Sequence, residues 1–176
     1  MHYASIKEYD IANGLGIRVS LFVSGCTHHC KGCFNSIAFD FNYGKEFTEE
    51  VENQILQMLS KDYIKGLSIL GGEPFEIVNQ KALLPFIQKV KETFPNKDIW
   101  AYSGYIFETE LLRPSKAHCE ITNELLQYID VLVDGPFIIE QKDITLKFRG
   151  SKNQRIIDVK QSLKKNQVTL IQSLMN

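Results

Sequence analysis

Apolar positions along the chain switch between two periods. Ile17-Arg18-Val19-Ser20-Leu21-Phe22-Val23 follows the two-residue period of a strand, after a turn at Asn13-Gly14-Leu15-Gly16. Val51, Ile55, Met58 and Leu59 then recur at helical spacing. Thr48 is placed to cap that helix, with Glu49 and Glu50 in its first turn. Leu67-Ser68-Ile69-Leu70 predicts a short strand ending in Gly71-Gly72-Glu73-Pro74. Leu83, Ile87, Val90 and Phe94 predict a second amphipathic helix that starts late or kinks at Pro85, because proline lacks the N–H that the helix interior needs. Asp98-Ile99-Trp100-Ala101-Tyr102 predicts a strand running into Ser103-Gly104-Tyr105. A helical stretch over Asn123–Tyr128 leads to the strand Val131-Leu132-Val133 and the turn Asp134-Gly135-Pro136. Gln154–Val159 predicts a further strand, and Val168–Ile171 one more.

Strands alternating with helices favour an α/β fold with a largely parallel sheet, here βα units curling into a partial (β/α) barrel. In such folds the functional loops gather at the carboxyl ends of the strands. Cys26–Cys33, Gly71–Pro74, Ser103–Tyr105 and Asp134–Pro136 each follow a strand, so one shared rim is expected. The 176 residues are 44% hydrophobic and show no repeat, low-complexity tract or linker, which predicts one compact domain over residues 1–176.

Charge narrows the partners. A formal net charge of −1 gives no electrostatic reason to expect direct nucleic-acid binding. No stretch approaches the roughly 20 apolar residues that span a bilayer. The opening Met1–Asp10 lacks the pattern of a signal peptide, so a cytoplasmic protein without membrane association is expected.

Three of the four cysteines fall in one short segment, Cys26-x3-Cys30-x2-Cys33. Clustered thiols without a secretory signal point to a metal rather than to disulfides. Thiolates are soft donors that suit zinc or an iron–sulfur cluster. A cubane has four irons, so three local cysteines leave one iron open to a substrate. A structural zinc site is the alternative, with His28, His29 or Cys119 as fourth ligand, but no second cysteine hook is present. His28 and His29 are expected to face solvent, and Cys119 to be a small buried apolar residue. Gly71 and Gly72 would let backbone approach a ligand closely. Glu73 adds a carboxylate able to take an ammonium group, and Pro74 holds Glu73 extended.

The cysteine triple followed by Gly71-Gly72-Glu73-Pro74 resembles the radical S-adenosylmethionine superfamily. Further segments resemble its glycyl-radical-enzyme activating branch, in particular the activators of anaerobic ribonucleoside-triphosphate reductase: Asp10–Gly14, Leu21–Cys26, Lys31–Asn35, Asp98–Trp100, Ser103–Tyr105, Val131–Gly135 and Arg149–Gln154. Gly32 stands where the wider superfamily often has an aromatic residue, with Phe34 close by; glycine is typical of the activating branch.

The resemblance implies one 4Fe–4S cluster per chain, ligated by Cys26, Cys30 and Cys33. It also implies S-adenosylmethionine against Gly32, Cys33, Phe34, Gly71, Gly72 and Glu73. It further implies an oxidoreductase that takes an electron from a donor such as flavodoxin and cleaves S-adenosylmethionine reductively. The resulting 5′-deoxyadenosyl radical would make a glycyl radical on the partner reductase's glycyl-radical subunit. An activator of another glycyl-radical enzyme, such as pyruvate formate-lyase, and a zinc-stabilised binding module are the alternatives. Asp134 could meet the ribose or simply cap its turn. Arg149, Lys152 and Arg155 could form a basic cluster or a solvated turn. Ser103 and Tyr105 are expected at the rim without assigned roles.

Overall fold

The computed structural model describes residues 1–175; Asn176, the last position of the expected domain, lies outside the described residues. Among the described residues, seven strands form one open sheet in the order β3-β1-β2-β4-β5-β6-β7. They are β1 (His2–Asp10), β2 (Ile17–Val23), β3 (Lys45–Glu46), β4 (Ile64–Gly71), β5 (Asp98–Ser103), β6 (Val131–Asp134) and β7 (Arg155–Asp158). The central run β2-β4-β5-β6 is parallel, whereas β3, β1 and β7 join antiparallel at the two edges. The sheet is therefore mixed and does not close on itself.

Helices α1 (Glu49–Leu59), α2 (Ile77–Thr93), α3 (Thr122–Tyr128) and α4 (Val159–Lys165) follow the strands, and a short α5 (Gln172–Met175) ends the described chain. Ile55, Leu59, Leu83, Ile87, Leu125 and Val159 pack on the sheet residues Val19, Leu21, Leu67, Ile69, Ile99, Ala101 and Leu132, so the first four helices cover one face. On the other face, Trp100, Val133 and Ile156 pack with Leu174 of α5 and with Phe148. Arg18 is buried there beside Ser68 and Trp100, paired with Asp98 at 2.6 Å.

Several expectations need correction. Helix α2 does not start late: it runs from Ile77 through Pro85, because Pro85 sits on the exposed side, where water can take the carbonyl that the missing N–H leaves free. Val168–Ile171 is not a strand; only Leu170 makes an isolated bridge, to Ile157. The expected strand Gln154–Val159 is trimmed at both ends, with Val159 opening α4 behind Asp158, whose side chain caps the helix by accepting from Gln161 N.

Candidate iron–sulfur site

The expected rim exists. Cys26, Cys30, Cys33 and Phe34 share one cavity with Gly71, Gly72, Glu73, Ser103, Gly104 and Gly135, from the loops after β2, β4, β5 and β6. Parallel strands bring these segments together by ending at the same edge. The cysteine loop folds back through a single turn of tight helix at Ser36–Phe39, which lets Gly25 N donate to Ala38 O (2.9 Å) and Cys26 N to Phe39 O (3.3 Å). Gly72 packs this loop against the turn after β4: a Cβ there would lie 2.5 Å from Gly25 O, so only glycine fits.

All three loop cysteines are free thiols. Cys26 is buried, and burial pushes its thiol up to about 12, so without a metal it keeps its proton. Cys30 and Cys33 are half-buried and are bridged by Cys33 N donating to Cys30 O at 3.1 Å. Among the described residues, no three His, Cys, Asp or Glu side chains stand close enough to grip one metal ion. A single ion needs every donor within about 2.0–2.3 Å of one point, whereas a cubane takes each thiolate at a different iron. Soft thiols lining one cavity together with glycines and the rings of Phe34, Phe39 and Phe137 fit a cluster in their donor chemistry.

The cavity is about 140 Å³ and continues into a second hollow of about 310 Å³ over the sheet. Phe34, Leu70, Tyr102, Phe137 and Gln154 line both, and Ala12, Phe148 and Arg149 belong to the second. A larger hollow of about 600 Å³ lies at the opposite strand ends, around Ile17, Ile64 and Lys97, and contains no thiol.

Not every expected residue stands as anticipated. Phe34 is 90% exposed at the cavity mouth, and Gly32 is exposed beside Ile139 and outside the cavity lining. Glu73 is in place, but its carboxylate is not free for a ligand's ammonium. It accepts from Phe75 N (2.8 Å), Ser103 Oγ (2.9 Å), Gly104 N (2.7 Å) and His28 Nε2 (2.9 Å), which fills its four acceptor positions. His28 accordingly does not face solvent, whereas His29 is exposed and packs on Phe39. Ser103 gains a role as donor to Glu73, and Tyr105 is fully buried with its ring against His28.

Asp134 is turned away from the cavity and is wholly buried. It accepts from Phe107 N at 2.9 Å and pairs with Arg155 Nε at 2.9 Å and Nη2 at 2.5 Å. Arg155 also grips Glu108 through two bonds, and these partners hold the guanidinium well above its ordinary pKa. The ribose-binding option for Asp134 therefore gives way to a fixed ion pair. The supposed basic cluster is three separate contacts. Arg155 serves Asp134, Lys152 faces Asp143 at 3.6 Å, and Arg149 donates to backbone carbonyls of Gln154 and Met175. Cys119 is half-buried between Gln80 and Thr122 and is absent from the cavity wall.

An open α/β sheet with thiols gathered at its carboxyl rim is the architecture of an iron–sulfur protein. The family model described as a 4Fe-4S single cluster domain matches residues 12–157. Curated relatives carry one name. The anaerobic ribonucleoside-triphosphate reductase-activating protein of Haemophilus influenzae is 46% identical over 158 residues, 89% of this chain and 97% of that relative. Its namesake in Escherichia coli K12 is 39% identical over 88% of this chain and 96% of its own length, and that of Enterobacteria phage T4 is 38% identical over 89% and 93%. The chain belongs to the family of anaerobic ribonucleoside-triphosphate reductase-activating proteins.

Proposed function

We propose that this chain is a radical S-adenosylmethionine enzyme that activates an anaerobic ribonucleoside-triphosphate reductase by creating a glycyl radical on it. The supporting observation is the convergence of Cys26, Cys30 and Cys33 on one glycine-walled cavity at the carboxyl ends of the parallel strands. These three thiolates would hold the one cluster per chain and leave an iron open for the amino and carboxylate groups of S-adenosylmethionine. When bound, the cluster supplies the electron that breaks a C–S bond of S-adenosylmethionine, giving methionine and a 5′-deoxyadenosyl radical that takes hydrogen from a glycine Cα of the partner.

The chain's own residues bind, orient and exclude water. Gly71 and Gly72 offer side-chain-free backbone to the methionine part, and Cys33 and Phe34 border the same cavity, with Gly32 preceding them outside its lining. Phe34, Phe39 and Phe137 keep the walls apolar. Glu73 works by tying loops together rather than by meeting the ligand. A cavity of 140 Å³ is small for a nucleoside-bearing ligand, and the adjoining hollow gives the extra length.

The parallel run of β2, β4, β5 and β6 with helices on one face supports reading residues 1–176 as one partial barrel of the radical S-adenosylmethionine type. Free thiols suit a reducing compartment and thus the cytoplasm, where a donor such as flavodoxin can supply the electron. No helix among the described residues is long and apolar enough to cross a membrane. Activation of another glycyl-radical enzyme, or a zinc-stabilised module, is disfavoured by the shared name of the relatives and by the 4Fe-4S family match.

The test is anaerobic reconstitution with iron and sulfide, reduction, and addition of S-adenosylmethionine with the reductase's glycyl-radical subunit. The expected result is 5′-deoxyadenosine together with a glycyl signal in electron spin resonance. Iron-loaded protein that yields neither product would overturn the proposal.

A further inference from the structure

Three loops meet on one buried carboxylate. Glu73, 1% exposed, joins its own turn to the β5 loop through Ser103 and Gly104, and to the cysteine loop through His28. One residue earlier, Thr27 gives its backbone N–H (2.8 Å) and its hydroxyl (2.7 Å) to Glu76 Oε1. Both residues that follow Cys26 are thus anchored to the segment after β4.

The His28 ring is held by packing as well as by its hydrogen bond. Its centroid lies 4.3 Å from that of Tyr105, and a Cβ on Gly104 would come within 2.6 Å of it. An ionised carboxylate only accepts, so Nε2 carries the proton in the 2.9 Å contact with Glu73. Two residues after Cys26, one side chain therefore ties the cysteine loop to the buried carboxylate and the β5 loop.

We infer that His28 is a positioning residue for the cluster. Its side chain, clamped by Glu73 and Tyr105, fixes the Cys26–Cys30 span in ligand-ready shape before iron arrives. That this span is a ligand loop rests on the cluster proposed above; its rigidity concerns the cluster-free chain alone.

Two measurements on the full chain test this with His28→Ala and His28→Gln, the glutamine keeping an N–H donor. The first is amide hydrogen exchange of residues 27–33 in cluster-free, thiol-reduced protein. Exchange in His28→Ala is expected to quicken about tenfold, the loss of one charge-assisted bond, and to slow again in His28→Gln. His28→Phe keeps a ring packed on Tyr105 and removes the bond to Glu73, giving the same comparison should the alanine chain not fold. The second is the rate of cluster incorporation on anaerobic reconstitution, expected slower in His28→Ala and restored in His28→Gln. Unchanged exchange overturns the preorganising role. Faster exchange with an unchanged incorporation rate overturns the positioning role toward the cluster. A wild-type chain that takes up no iron overturns the cluster proposal, and exchange still decides the preorganising role.

Discussion

Replacing Glu73 by Gln exchanges one carboxylate oxygen for an NH2 group at a site that is 1% exposed. At the Oε1 position that group would face Phe75 N–H and the Ser103 hydroxyl; at Oε2 it would face Gly104 N–H and His28. The hydroxyl can turn and the imidazole can move its proton to Nδ1, but a backbone N–H can do neither. In either orientation one buried N–H loses its acceptor, at about 1–3 kcal/mol. The surviving bonds also fall from charge-assisted to neutral, roughly halving each. Together these give a loss of about 2–4 kcal/mol, a large share of the ~5–15 kcal/mol that holds a typical domain folded. Urea unfolding of the cluster-free chain under reducing conditions, followed by circular dichroism, should show the midpoint falling by about 1–2 M. A midpoint within ~0.2 M of wild type would refute the four-donor description of this carboxylate.

Other expectations follow from the same contacts. Arg155→Met strands the buried Asp134 with Phe107 N as its remaining donor and should cost about 3 kcal/mol in the same unfolding assay. Cys119→Ser should leave iron uptake and 5′-deoxyadenosine formation unchanged, since that sulfur sits by Gln80 and Thr122; loss of iron would place it on the cluster. Asp10 is also pH-sensitive: burial works to raise its pKa, but bonds from Asn13 and the Ala12 backbone N–H help to outweigh burial and hold it below the usual carboxylate value. Its stabilisation is therefore full above about pH 4 and lost as pH falls through the depressed folded value. Asp10→Asn should flatten that part of the acid-unfolding curve, and an unchanged curve would contradict the assignment.

The legible parts of the sequence were those carried by local pattern. Leu67–Leu70, Asp98–Tyr102 and Val131–Val133 read as strands because a buried parallel strand is a short apolar run. Cysteine spacing located the candidate cluster loop because its donors lie within eight positions. β1 escaped notice: His2–Asp10 is an antiparallel strand near the sheet edge, buried only at Tyr3 and Asp10 and half-polar between them. Proline misled the reading of α2, since sequence does not say which side of a helix faces water. The contacts of Glu73 join residue 73 to residues 28, 103 and 104, and those of Asp134 join it to Arg155 by antiparallel register with β7. Such pairings are set by the packing of loops and strands far apart in the chain. A carboxylate that looked ready for a ligand proved to be internal for that reason.

The most direct test of the account is an iron and sulfide count on anaerobically reconstituted wild type beside the Cys26→Ala, Cys30→Ala and Cys33→Ala chains. About four irons and four sulfides per wild-type chain, with stable incorporation lost in each variant, is the predicted result. Full incorporation in the Cys30→Ala chain, or a wild-type chain that holds zinc and no iron, would contradict it.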